Sequence, residues 1–157
     1  MTTCTTSIAT KELEVRYGKT VAVTDVNLDI PAGSLVSVIG PNGAGKSALL
    51  KALAGAIEIH SGDIDIPGPP PSFVMQSSEV DASLPISVKD VVSLARYSNR
   101  GPFKRFRKED RDAVDEAIER LNLKDLAKRQ LHELSGGQRQ RVLVAQGLAQ
   151  DSNVLLL

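Results

Sequence analysis

Residues 40–47 read Gly-Pro-Asn-Gly-Ala-Gly-Lys-Ser, which fits G-x-x-x-x-G-K-[ST] without departure. Glycines at this density let the backbone fold so that several N–H groups converge on phosphate oxygens. The run ahead, Leu35 to Ile39 (LVSVI), is apolar and β-branched, as a doubly buried strand would be. The run behind, Lys46 to Ala56, forms helix readily and offers its positive N-terminal end. In that setting Lys46 supplies a point charge to the outer phosphates, and the Ser47 hydroxyl is a ligand for Mg²⁺. The chemistry implied is binding of a nucleoside triphosphate. The loop alone does not separate a kinase, a GTPase and an ATP-driven motor.

A second constellation lies at residues 134–138, Leu-Ser-Gly-Gly-Gln, followed by Arg139, Gln140 and Arg141. Ser135 suits the N-cap of a helix, and Gly136 and Gly137 bare the first N–H groups, which makes another anion site. Gln76 closes the strand-like stretch Ser72 to Gln76, and Tyr17 ends an alternating run with Leu13 and Val15.

The elements that must carry these residues follow from periodicity. Period-two runs through Leu13, Val15 and Tyr17 and then Val21, Val23, Val26, Leu28 and Ile30 predict an antiparallel β opening. Residues 60–72, rich in Gly and Pro, read as loop or turn. From Val88 to about Leu131 the pattern is helical, with Ala113, Val114, Ala117, Ile118 and Leu121 forming an apolar stripe. A helix from Arg139 to Gln150 would present Val142, Ala145, Leu148 and Ala149 on one side, and residues 153–157 (NVLLL) read as a buried strand.

Composition narrows the partners. The 157 residues carry 19 Lys and Arg against 19 Asp and Glu, a formal net charge of zero, so no nucleic-acid coat is expected. Aromatic residues are 3% of the chain, too few for a base-stacking platform. The basic run Arg100, Lys104, Arg105, Arg107 and Lys108, with Phe103 and Phe106, therefore reads as a solvated loop. Cys4 is the single cysteine, which excludes an internal disulfide and fits a reducing compartment. No apolar stretch is long enough to span a bilayer.

Taken in order, Tyr17, residues 40–47, Gln76 and residues 134–138 resemble the A-loop, Walker A, Q-loop and signature of the ATP-binding cassette (ABC) ATPases. The resemblance implies an α/β P-loop NTPase fold of ABC type. It would have an N-terminal antiparallel β subdomain, an incomplete parallel-sheet core and a helical signature subdomain. Residues 1–157 would be one ABC ATPase domain, truncated at its C-terminus. Residues 1–76 would hold the β subdomain and Walker A core, 77–134 the helical subdomain, and 135–157 the signature helix and the start of a Walker B strand.

The resemblance further implies that Tyr17 stacks on adenine. Gly40, Pro41, Asn42, Gly43, Ala44, Gly45, Lys46, Ser47 and Ala48 would surround the phosphates of ATP, and Ser47 and Gln76 would serve Mg²⁺. Lys46 and Gln76 would be the catalytic residues. Leu134, Ser135, Gly136, Gly137 and Gln138 would touch ATP held by a second ABC subunit, a homodimer being expected. A transmembrane permease would be the other partner, with this chain in the cytoplasm, peripheral on the inner face of the plasma membrane. The wording of residues 88–110 is similar to importers of manganese, zinc or chelated iron. A soluble ABC ATPase of translation or DNA repair, and a non-enzymatic nucleotide-binding remnant, are the alternatives. No Asn-Lys-x-Asp motif for guanine occurs.

Some family features depart. No Asp-Glu pair follows residues 153–157, and His60 and His132 both come too early to act as a switch histidine. The 157 residues are therefore expected to be a fragment of a longer ATPase and to hydrolyse ATP negligibly, since general-base assistance is worth about 10²–10⁴-fold. Ala48 stands where the family usually has Thr or Ser, and Gln146-Gly147 is expected to interrupt the last helix at about 1 kcal/mol.

Overall fold

The computed structural model describes residues 8–74, 85–98 and 106–157. The chain divides into two compact units, residues 1–71 with Leu156 and residues 72–155 with Leu157. Among the described residues no helix is long and apolar enough to cross a membrane.

In the first unit β1 (Ile8–Tyr17) and β2 (Thr20–Ile30) form the expected antiparallel hairpin, turning at Gly18-Lys19. Leu13 and Val15 are fully buried, so the alternation does face a core. The register slips between Thr10 and Leu13. There Glu12 takes φ 48, and its N–H donates to Asn27 Oδ1 at 2.9 Å. Buried Thr10 spans the irregularity: its hydroxyl donates to the Val26 carbonyl at 2.9 Å and accepts from Leu28 N at 3.0 Å.

The expected loop over 60–72 contains a third strand, β3 (Ser61–Asp65), antiparallel to β1 in the order β2-β1-β3. Its polar composition hid it; the ladder to β1, not burial of its own side chains, holds it in place.

Helix α1 (Lys46–Leu53) buries Ala48, Leu49, Ala52 and Leu53. It stops three residues short of the expected Ala56. Gly55, at φ 67, donates to the Ala52 carbonyl at 2.9 Å, and Ala56 N to the Lys51 carbonyl at 2.8 Å. That pair of bonds is a Schellman close, which ends the helix.

Residues 35–39 do not form the expected strand. Leu35 is 98% and Ile39 92% exposed. An isolated extended run has no ladder to hold it, and no described strand pairs with this one.

The second unit packs α2 (Val88–Ser98), α3 (Lys108–Arg120) and α4 (Gly136–Ala149) around a common core, with single 3₁₀ turns at Lys124–Leu126 and Leu131–Glu133. Val88, Val92, Val114, Leu123, Leu131 and Val142 lie at its centre. The two-residue strands β4 (Ser72–Phe73) and β5 (Leu155–Leu156) pair beside it, shorter than the sequence pattern suggested. Ser152 organises their junction. Its hydroxyl accepts from Ser72 N and Val154 N, each at 3.2 Å, and donates to the Val154 carbonyl at 3.0 Å.

Two expectations for α4 are corrected. Leu148 points outward, 40% exposed, while Val142, Ala145 and Ala149 are buried. Gly147 does not interrupt the helix; it is buried where α4 meets β4 and β5. A Cβ there would lie 2.7 Å from both Leu155 Cδ1 and Val74 Cγ2. A side chain at 147 is excluded by close approach, so the cost in helix propensity has a packing reason.

Candidate functional site

The glycine-rich loop at 40–47 is assembled by a turn and a helix start. Ala44 N donates to the Pro41 carbonyl at 3.3 Å, and Gly45 caps α1 in the left-handed region at φ 82. Gly45 lies against β2: a Cβ would overlap the Ala22 carbonyl oxygen, so only glycine fits. The first helical bond runs from Leu49 N to the Gly45 carbonyl at 2.9 Å. The N–H groups of Lys46, Ser47 and Ala48 therefore have no partner within the helix, which is the arrangement that attracts an anion.

Lys46 Nζ donates to the Gly40 carbonyl at 2.8 Å and to the Pro41 carbonyl at 2.7 Å. An ammonium has three donors. Two hold the loop closed on itself and one is left for a ligand. Residues 40–44 and Ser47 are exposed, so the loop and the hydroxyl are open to solvent. Ala48 is 6% exposed and belongs to the packed face of α1. Tyr17 ends β1 at 52% exposure, an aromatic ring available for stacking. These residues all lie in the first unit.

In the second unit Ser135 is the N-cap of α4, as its type suggested. Its hydroxyl accepts from Gln138 N at 3.3 Å, and Gln138 Oε1 accepts from Ser135 N at 2.9 Å, a reciprocal capping box. A Cβ on Gly136 or Gly137 would meet nothing within 4 Å. Their lack of side chains is thus not required by packing, and it leaves the helix start bare. Leu134, 4% exposed, anchors the segment in the core. Gln76 lies outside the described residues, as do Arg100, Phe103, Lys104 and Arg105 of the basic run. Among the described residues no group of three His, Cys, Asp or Glu side chains could hold a metal ion.

The sequence reading missed one constellation. Asp110, which reads as part of an acidic helix start, is completely buried. Its Oδ2 accepts from Arg107 N at 2.9 Å, and its Oδ1 from Arg96 Nε at 3.0 Å. Arg96 Nη1 also donates to the Ala149 carbonyl at 3.1 Å. Nothing in the local pattern separates this aspartate from its exposed neighbours Glu109 and Asp112; only the packing of three helices does.

The family model described as ABC transporter matches residues 23–157. The manganese transport system ATP-binding protein MntB of Listeria innocua is 40% identical over 152 residues, which are 92% of this chain and 63% of that protein. The zinc transport system ATP-binding protein TroB of Treponema pallidum is 37% identical over 158 residues, 96% of this chain and 59% of that one. Among solved structures, an inward-facing ABC transporter described as of metal-chelate type superposes with TM-score 0.82 at 32% identity, covering 94% of this chain and 57% of that one. The chain thus spans about three fifths of the length of the curated relatives it matches.

Proposed function

The chain belongs to the ABC transporter family of ATPases, with its α/β P-loop fold, and from that premise we propose that it is the ATP-binding, energy-coupling subunit of a metal-ion importer carrying manganese, zinc or chelated iron. The observation that carries the reading is the loop at 40–47: Lys46 is tied to two loop carbonyls with one donor to spare, at a helix start whose cap can only be glycine. ATP is the nucleotide, with Tyr17 stacking on adenine and residues 40–48 around the phosphates. Mg²⁺ would be the companion of ATP: the exposed Ser47 hydroxyl at the start of α1 suits it as a ligand, and Gln76 is assigned to it by the family resemblance alone.

Residues 134–138 contact ATP bound to a second ABC subunit, the homodimer being the expected form. The α4 start supports this, since its glycines are bare without a packing reason. A transmembrane permease is the further partner, and the place of work is the cytoplasmic face of the plasma membrane. For a polypeptide of these 157 residues by themselves the same reading expects weak ATP binding and negligible hydrolysis.

Calorimetric titration with Mg·ATP tests the reading. Lys46→Ala removes a charge-assisted bond worth about 1.5–3 kcal/mol, so affinity should fall about 10- to 100-fold. Equal binding by the wild-type and Lys46→Ala chains, or none by the wild type, overturns it. Phosphate release at family-like rates from the 157-residue polypeptide overturns the statement on hydrolysis.

A further inference from the structure

The Arg96 guanidinium holds three elements. It pairs with fully buried Asp110, the residue whose other oxygen caps the start of α3, and it donates to the Ala149 carbonyl at the C-terminal end of α4. Its side chain is 13% exposed. A cation on the last carbonyls of a helix complements the negative end of its dipole. At the opposite end of that helix, about 21 Å away for 14 residues, stand the bare N–H groups of Gly136 and Gly137. We infer that Arg96 is a positioning residue for those N–H groups: by seizing the Ala149 carbonyl it fixes where α4 lies along its own axis.

Apolar packing shares that task. α4 buries Val142, Leu143, Ala145 and Ala149, and Gly147 is clasped by Val74 and Leu155; these contacts are non-directional, whereas a hydrogen bond to the Ala149 carbonyl holds the helix end along a defined line. Leu134 anchors the chain before the capping box, and the bond from Arg96 anchors the far end. Arginine suits the task because its fork serves the Asp110 oxygen and the helix carbonyl together. Asp110 in turn fixes the fork, and its own place is set by the Arg107 N–H.

This inference rests on the assignment of 135–138 as a nucleotide contact for its use, but its test does not. The amide resonances of Gly136 and Gly137, and the exchange protection of the Gln138 and Arg139 amides, are recorded on the nucleotide-free chain. The variants are Arg96→Met, the double variant Arg96→Met with Asp110→Leu, and Leu94→Ala as a control on the exposed side of the same helix. The double variant replaces a buried ion pair by apolar groups, which commonly restores stability, yet it still lacks the bond to Ala149.

The expected result is that Gly136 and Gly137 shift, and Gln138 and Arg139 lose protection several-fold, in both Arg96 variants. Those changes persist in the double variant although its melting temperature recovers part of the loss, the missing cap of α3 keeping it below wild type, while Leu94→Ala leaves the four amides in place. Unshifted Gly136 and Gly137 in a folded double variant overturn the inference, because Arg96 then contributes only to stability. Absence of ATP binding in the wild type would instead strike the functional reading and leave the positioning result standing.

Discussion

Replacing Gly147 by alanine sets two known effects against each other. On helix propensity alone, alanine in the body of α4 should stabilise by about 1 kcal/mol. The structure gives the opposite sign. The new Cβ would sit 2.7 Å from Val74 Cγ2 and 2.7 Å from Leu155 Cδ1, where carbon pairs are at ease near 3.5–4.0 Å. Leu155 can swing its terminal methyl aside, but Val74 is stiff at χ1 and leads out of a strand, so α4 or β4 must move. Overpacking of this kind costs about 1–3 kcal/mol, and two simultaneous overlaps place it in the upper half of that range. The net expectation is a loss of about 1–2 kcal/mol. With an m-value of about 2 kcal/mol/M, the middle of the usual range, the urea midpoint should fall by roughly 0.5–1 M at unchanged m. Circular dichroism at increasing urea reads this directly. A companion Val74→Ala substitution makes room, so the double variant should be more stable than the summed single losses, by at least about 0.5 kcal/mol. A Gly147→Ala chain as stable as wild type, or more so, refutes the close-approach argument and returns this glycine to the status of a helix defect.

Gly45→Ala should abolish most ATP affinity, because a side chain at φ 82 costs about 1–2 kcal/mol and its Cβ would strike the Ala22 carbonyl, which is backbone and cannot swing away; titration with Mg·ATP checks this. Ser135→Ala removes the acceptor of the Gln138 N–H and should lower unfolding stability by about 1 kcal/mol, read from the urea midpoint. The Glu14 carboxyl titrates below the usual glutamate range, chiefly through its hydrogen bond from Arg16, with the Arg16 charge, the Thr24 hydroxyl and His60 helping against partial desolvation. Its folded pKa being the lower one, the contribution of Glu14 to stability is present at neutral pH and fades as pH falls through that depressed pKa. Glu14→Gln should therefore flatten the acid limb of a stability-against-pH curve and leave the region above the ordinary glutamate pKa parallel to wild type.

The geometry of the two glycine-rich segments was legible in the sequence because it is local. Residues 40–47 need only consecutive backbone N–H groups, a lysine that reaches back five and six residues, and a helix that starts at once. Ser135 and Gln138 cap α4 within a span of three residues. The β1–β2 hairpin follows equally from short-range alternation and a glycine turn. What long-range packing decides was invisible. β3 is polar and exists by its ladder to β1. Residues 35–39 have the composition of a buried strand, yet extended backbone is stable only beside a neighbour that hydrogen-bonds it, and none is described there. Asp110 matches the exposed acids on either side of it until α2 and α4 close over it and bring Arg96. Gly147 reads as a flaw until Val74 and Leu155 arrive at its Cα. Hydrogen bonds between near neighbours are written in residue type and spacing, whereas burial, close approach and ion pairing depend on which distant segments meet, and those meetings exist only in the folded chain.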